Sequence, residues 1–217
     1  MTEPDFVTRT RESYDAAADD YVVWVKDELA VKPLDRAMLS AFASLVSGPV
    51  ADIGCGPGRV TVHLTSLGVD AFGIDLSPGM IAAARRTYPD LRFEVGSMLS
   101  LDVASGSLGG IVAWYSTIHV PDSLLPTVFS GFHRALAPGG YVLLAFQAGE
   151  GCLHLSSALE HEVSLDFHRR RPSDVAELLR GAGFTMRAEL VRERDEEGPF
   201  PERTPQAFLL ARKPLPA

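Results

Sequence analysis

The stretch VADIGCGPGRVTVHL, residues 50–64, sets Gly54, Gly56, Pro57 and Gly58 between a short apolar run and a helical pattern. A plain strand-to-helix turn does not need three glycines so close together, because glycine forfeits more backbone entropy on folding than any other residue. Such a turn brings bare backbone up to a ligand at the carboxyl ends of parallel strands, where open α/β sheets bind. This one segment therefore constrains the fold to strand, crossover helix, parallel strand.

From residue 49 onward the chain repeats that grammar. VADI is a strand, and the window after the glycines places Val60, Leu64 and Leu67 on one helical face before Gly68. VDAFGID ends a second strand at Asp75; Ser77 and Pro78 read as N-cap and first residue of a helix that Pro89 stops. LRFEV and GIVAWYS are further strands. The window 123–136 repeats apolar residues at helical spacing up to APGG, and YVLLAFQ is continuously apolar, as a strand covered on both faces should be. Residues 148–171 are less regular. Ser173 opens a helix with Val175, Leu178, Leu179 and Ala182 inward, and FTMRAELVRER and PQAFLLARK read as an antiparallel pair at one edge. Before residue 49 the pattern is mostly helical; residues 14–25 put Tyr14, Ala18, Tyr21 and Val25 on one face. These elements predict an α/β fold: a doubly wound, mostly parallel, Rossmann-like sheet of seven strands with an antiparallel edge strand and an N-terminal helical cap. With 217 residues, 46% of them apolar, two domains would be cramped, so a single domain over 1–217 is expected.

The ligand follows from charge. A dinucleotide fingerprint asks for GxGxxG, but Arg59 stands at the last glycine position, and Asp52 just before the turn would repel a pyrophosphate. Asp52 would welcome a cation. Asp75, at the end of the second strand, lies where an acid can accept two hydrogen bonds from a ribose diol. A ribose plus a positive group without phosphates describes S-adenosylmethionine.

VADIGCGPGR, GIDLSPGM, FEVGSM and WYSTIHV, in that order, resemble the successive cofactor motifs of the class I S-adenosylmethionine-dependent methyltransferases of small molecules. The resemblance covers residues 10–212. It implies that Asp52, Gly54 and Gly56 line the methionine half of the cofactor and that Asp75 holds the ribose hydroxyls. It places Leu76 and Met80 as apolar contacts around the adenine, and Gly96, Ser97 and Met98 in the loop that meets the adenine ring. Trp114, Tyr115 and Ser116 are expected to pack on the cofactor, and Tyr14 and Tyr21 to close over it. Many relatives carry aspartate where Ser97 stands, which weakens the contact expected there, and usually an aspartate at Gly109, an acid more often structural than catalytic. The implied division is a helical cap (1–48), a cofactor core (49–147), an acceptor-pocket segment (148–171), and a C-terminal helix with edge strands (172–217).

Methyl transfer from a sulfonium is an in-line displacement, so such an enzyme must chiefly align its reactants and exclude water. His119, after the fourth strand, is the candidate base for an O, N or C nucleophile that must lose a proton; the competing reading is that its ring only positions the loop or the cofactor. His154, His161 and His168 recur every seven residues, too far apart for neighbouring metal ligands on a helix, so no metal is expected. HRRR, 168–171, reads ordinarily as a solvated patch and alternatively as a clamp for an acidic acceptor. With a net charge of −8 and two cysteines without metal spacing, nucleic-acid and anionic-membrane partners are disfavoured and a small-molecule acceptor is expected. The N-terminal stretch carries acidic residues and no apolar segment, so a cytoplasmic location without a signal peptide is expected. The rival to an enzyme of the EC 2.1.1 type is a non-catalytic subunit that binds S-adenosylmethionine without opening an acceptor pocket. The sequence carries no signal for oligomeric state.

Overall fold

Period-two alternation along each central strand decides which helices cover which face. Ala51, Ile53, Ile111, Ala113, Val142, Leu144, Leu209 and Ala211 share one buried cluster with Phe129, Phe132 and Leu179; Val50, Val112, Leu143, Phe208 and Leu210 share another with Leu39, Phe42, Val60 and Leu64. Both faces of the strands are therefore apolar, and helices cover both.

The computed structural model describes residues 3–216. In chain order its elements are α1 (Asp5–Val25), α2 (Pro33–Ala43), β1 (Val50–Ile53), α3 (Arg59–Ser66), β2 (Ala71–Asp75), α4 (Pro78–Thr87), β3 (Phe93–Val95) and β4 (Leu108–Trp114). There follow α5 (Leu125–Ala135), β5 (Leu136–Gln147), β6 (Cys152–Ala158), β7 (His161–His168), α6 (Pro172–Gly181), β8 (Thr185–Arg192) and β9 (Gln206–Arg212). The main sheet has seven strands in the order β3-β2-β1-β4-β5-β9-β8. β1 to β5 run parallel; β9 pairs antiparallel with both β5 and β8, so the reversed strand of the edge pair is the inner one. The order reverses at β1, which places the carboxyl ends of β1, β2 and β4 around one crevice. No helix among the described residues is long and apolar enough to cross a membrane.

Three local expectations change. The irregular stretch 148–171 is an ordered antiparallel hairpin, β6 on β7, separate from the main sheet. Its turn holds Leu159 at φ 49° and Glu160 at φ 65°, left-handed positions that glycine or asparagine ordinarily signals, so the turn left no compositional mark. The capping helix, expected over residues 14–25, starts earlier, at Asp5. α6 begins at Pro172, one residue before Ser173, because proline is preset for the first helical position and the Ser173 hydroxyl donates to Asp174 instead of capping.

α1 is pinned across the crevice by polar contacts at both of its flanks. Asp15 accepts from the Ser77 hydroxyl at 2.5 Å and from the Gly79 backbone N–H at 2.8 Å, tying α1 to the start of α4. On the other side the Ser164 backbone N–H donates to the Ser13 hydroxyl at 2.8 Å, tying it to the hairpin.

Candidate functional site

Each glycine of the β1–α3 loop sits in the left-handed region, with φ 77° at Gly54, 54° at Gly56 and 87° at Gly58. Their surroundings separate their uses. A Cβ on Gly54 would stand 2.2 Å from Ser116 Cβ, and one on Gly58 2.7 Å from the Phe93 ring, so these two allow close packing of protein on protein. A Cβ on Gly56 would meet only a Tyr21 ring carbon at 4.0 Å. Gly56 is where backbone is left bare to the crevice.

Two carboxylates face this loop. Asp75 Oδ2 accepts from the Gly56 N–H at 2.7 Å and Oδ1 from the Ser77 N–H at 2.9 Å; burial raises its pKa, opposed by those two bonds. Each oxygen keeps a further lone pair for an outside donor. Asp52 is fully buried; its Oδ2 accepts from the Thr61 hydroxyl at 2.7 Å, while Oδ1 has no partner among the described residues. Burial pushes its pKa up to about 7, against the Thr61 bond and the Arg59 charge. A buried carboxylate oxygen without a donor is a place for a cationic ligand group.

All the residues expected to hold the cofactor, together with His119, line one cavity. Asp52, Gly54 and Gly56 form its floor with Asp75; Leu76, Met80, Gly96, Ser97 and Met98 stand on the β2–β3 side; Trp114, Tyr115, Ser116 and His119 follow β4; Tyr14 and Tyr21 descend from α1. The Ser116 hydroxyl donates to the Ile53 carbonyl at 2.6 Å, which locks the loop after β4 to the end of β1. This donor set fits an adenosyl sulfonium amino acid: acids for an ammonium and a diol, apolar side chains for a purine, and no cluster of backbone donors around a phosphate.

His119 is held at both nitrogens. Nδ1 stands 2.8 Å from the Asp166 carbonyl, which can only accept, so Nδ1 carries the proton and Nε2 accepts from the Tyr14 hydroxyl at 2.8 Å. Burial lowers the imidazole pKa to about 4, and burial raises Tyr14 well above the usual phenol value. At neutral pH the pair is therefore a neutral imidazole holding a neutral phenol, with the phenolic oxygen the atom left to meet a ligand. That geometry orients a group better than it removes a proton.

Some residues of the cavity escaped the sequence reading. Arg59, noticed only for breaking the dinucleotide fingerprint, is half-buried near Asp52; its Nη2 pairs with Glu28 at 2.9 Å and its buried Nη1 has no partner among the described residues. Nothing in local spacing announces the pairing with Glu28. Phe6, Val7, Thr10 and Arg11 also line the cavity, from the part of α1 before Tyr14. The seven-residue step from Val7 to Tyr14 to Tyr21 was the available signal.

The histidines of the hairpin diverge. His154 pairs with Asp166 at 2.8 Å and His161 with Asp20 at 2.7 Å, and no group of three or more His, Cys, Asp or Glu among the described residues is placed to hold a metal ion. The HRRR run divides three ways. Arg170 is buried and structural: its Nε donates to Asp122 at 2.7 Å and its Nη atoms donate to the Thr117 and Val120 carbonyls, which anchors the loop carrying His119. Arg171 pairs with Glu150 at the surface. Arg169 lines a second cavity that shares Tyr14, Tyr21, Arg59 and Tyr115 with the first.

Residues 50–140 match the family model described as a methyltransferase domain. The chain is 34% identical over 111 residues to a trans-aconitate 2-methyltransferase of Rhizobium meliloti, covering 48% of this chain and 40% of that protein. It is 26% identical over 174 residues to a ubiquinone biosynthesis O-methyltransferase of Methylococcus capsulatus, covering 72% and 71%. It thus spans well under half the length of the first relative and about two-thirds or more of the second. A likeness of fold extends to the Burkholderia thailandensis 1,6-didemethyltoxoflavin-N1-methyltransferase solved with S-adenosylhomocysteine, with TM-score 0.75 and 21% identity over 99% of this chain and 92% of that one.

Proposed function

We infer that the chain, which resembles the class I S-adenosylmethionine-dependent methyltransferases, transfers a methyl group from S-adenosylmethionine to an O, N or C nucleophile of a small molecule. The observation that carries this reading is the unpartnered oxygen of buried Asp52, set at a glycine loop with Asp75 on its other side. Bound there, S-adenosylmethionine supplies a methyl group activated by its own positive sulfur.

The protein's part is to hold and align. Asp52 receives the ammonium, and the free Nη1 of Arg59 is available to the carboxylate of the same amino acid. Asp75 takes the ribose hydroxyls on the lone pairs that Gly56 and Ser77 leave open. Leu76, Met80 and Met98 flank the adenine, and the Ser97 hydroxyl already accepts from the Leu99 N–H at 3.3 Å, so little of it is left for the ring. α1 lies over the crevice and keeps water from it. Tyr14 and Tyr21 stand where the first cavity meets the second, so the acceptor enters from beneath the β6–β7 hairpin, and residues 148–171 form a wall of the acceptor site. Tyr14, oriented by His119, sits at that junction as a positioning group. The second cavity is also what favours catalysis over a subunit that merely binds the cofactor. The strongly acidic chain supports a small metabolite as acceptor rather than nucleic acid.

The test is a calorimetric titration with S-adenosylhomocysteine, then transfer of labelled methyl from S-adenosylmethionine into a metabolite extract. Saturable binding and extract-dependent label are expected. Binding of NADH with no binding of S-adenosylhomocysteine overturns the reading; binding without transfer to any fraction returns the non-catalytic subunit.

A further inference from the structure

We propose that the methyl acceptor is an organic acid with an apolar body, its carboxylate seated on Arg169 at the end of the hairpin wall; this rests on the methyltransferase reading above and names the substrate class of that same site.

The hairpin alternates over residues 153–155 and 163–167. Leu153 faces Phe167 and Leu155 faces Leu165 across the β6–β7 ladder, and these four with Val163 line the second cavity, while His154 and Asp166 pair on the opposite face. Two residues beyond Phe167, the same inward face continues to Arg169, which also lines the cavity. The wall is thus a sheet of aliphatic and aromatic side chains that ends in a guanidinium. Opposite it stand Trp24 and Phe200, with ring centroids 6.0 Å apart, and Tyr115 and Ile118.

Charge accounting around the cavity leaves a positive surplus. Its two carboxylates are already neutralised: Glu28 by Arg59 at 2.9 Å, and Glu202 by Lys32 at 2.9 Å and Arg192 at 2.6 Å. Arg169 and Arg203 line the same space and have no ion-pair partner among the described residues, and Arg169 Nε is buried without any hydrogen-bond acceptor. The contrast with its neighbours is sharp, since Arg170 and Arg171 each have a carboxylate. A guanidinium donor buried against apolar walls demands an acceptor, and a carboxylate meets it with two parallel charge-assisted bonds. A neutral ligand leaves that donor unsatisfied, and a cationic ligand adds repulsion at low dielectric.

The experiment titrates the complex with S-adenosylhomocysteine, using cinnamate, 3-phenylpropanoate and octanoate against their primary amides. Wild-type protein is expected to bind the acids roughly ten- to a hundredfold more tightly than the amides, the range of a hydrogen bond to a charged group. Arg169→Gln should erase that preference, Arg169→Lys should keep part of it, and Arg171→Gln should leave it intact. Unchanged affinity of each variant for S-adenosylhomocysteine reports that it is folded. A wild type that binds no acid better than its amide, including one that binds neither, overturns the proposal, as does a preference that survives in Arg169→Gln. Failure of wild-type protein to bind S-adenosylhomocysteine at all would instead sink the methyltransferase reading beneath it.

Discussion

Replacing Asp52 by asparagine has opposite expected effects on stability and on binding, and their pH dependence separates them. Burial raises the Asp52 carboxyl from its ordinary 3.8 to about 7. The folded chain therefore keeps a proton that the unfolded chain has released, and it loses stability as pH climbs from about 4 to about 7, with no further loss above that. A displacement of this size is worth about 4 kcal/mol. Asparagine never ionises, and its amide oxygen can still accept from Thr61. Its NH₂, however, inherits the place of the unpartnered Oδ1, and leaving it unsatisfied costs about 1–3 kcal/mol. Unliganded Asp52→Asn should thus be about 1–3 kcal/mol more stable than wild type at pH 8, a rise of several degrees in Tm for a chain of this length, and less stable at pH 4. Thermal melts across pH 4 to 8 read this crossing. Calorimetry with S-adenosylhomocysteine reads the other half: wild-type affinity should rise toward pH 7 by up to about tenfold per unit as Asp52 ionises against the ammonium, whereas the variant should bind weakly with a flat profile. Stability curves that stay parallel over the whole range, or equal affinities at pH 7.5, would refute both the ionisation and the role given to Asp52.

Asp75→Ala should weaken S-adenosylhomocysteine binding by about 1.5–3 kcal/mol, the loss of charge-assisted hydrogen bonds to the ribose, and unchanged affinity in calorimetry would remove that assignment. Gly54→Ala places a Cβ 2.2 Å from Ser116 Cβ at φ 77°, so denaturant melts should show a loss of about 2 kcal/mol or more, whereas a near-neutral result would contradict the packing. His119, with its pKa at about 4, is neutral at physiological pH, so kcat/KM should show no limb near pH 6.5 that vanishes in His119→Gln. As partners in one hydrogen bond, Tyr14→Phe and His119→Gln should each lower kcat/KM while the double variant loses little more than either single, and additive losses would break the pair.

The crevice could be read from the chain because a parallel sheet brings its strand ends to one place in sequence order. Each strand ends at the crevice, so Asp52, Asp75, Gly96 and Trp114 arrive as successive strand-end residues, each marked by the same local switch from apolar run to turn. Glycine spacing, a carboxylate before the turn and another one strand later are all short-range signals, and the structure brings their residues around one cavity. What escaped depended on distant partners. Arg59 matters through Glu28, which lies in the segment leading out of α1, and Arg170 is structural only because the loop after β4 folds back to give it carbonyls and Asp122. Nor did the β6–β7 turn display its left-handed residues, since leucine and glutamate occupy them. Yet the alternation of Leu153 with Leu155, and of Val163, Leu165 and Phe167, was present at period two, a signal for paired strands that the reading of 148–171 as irregular passed over.

The same asymmetry bears on how such a chain can change its acceptor. The second cavity is walled by α1, by the β6–β7 hairpin, which stands outside the main sheet, and by residues 200–204 before β9 with Gln206 at its start. None of these supplies a ladder hydrogen bond to β1, β2 or β4, the strands whose ends form the cofactor crevice. Substitutions on the inner face of the hairpin can therefore alter the shape and charge of the acceptor wall while leaving the crevice in place. Tyr14, Tyr21, Arg59 and Tyr115 are the exception, because they line both cavities. Changes at these four should alter affinity for cofactor and acceptor together, whereas changes at Arg169 or Leu155 should move acceptor affinity alone. Hairpin and crevice share no ladder hydrogen bond, so coupling between the two ligands runs through the junction that both of them touch and through His119, whose Nδ1 is held by the Asp166 carbonyl of β7.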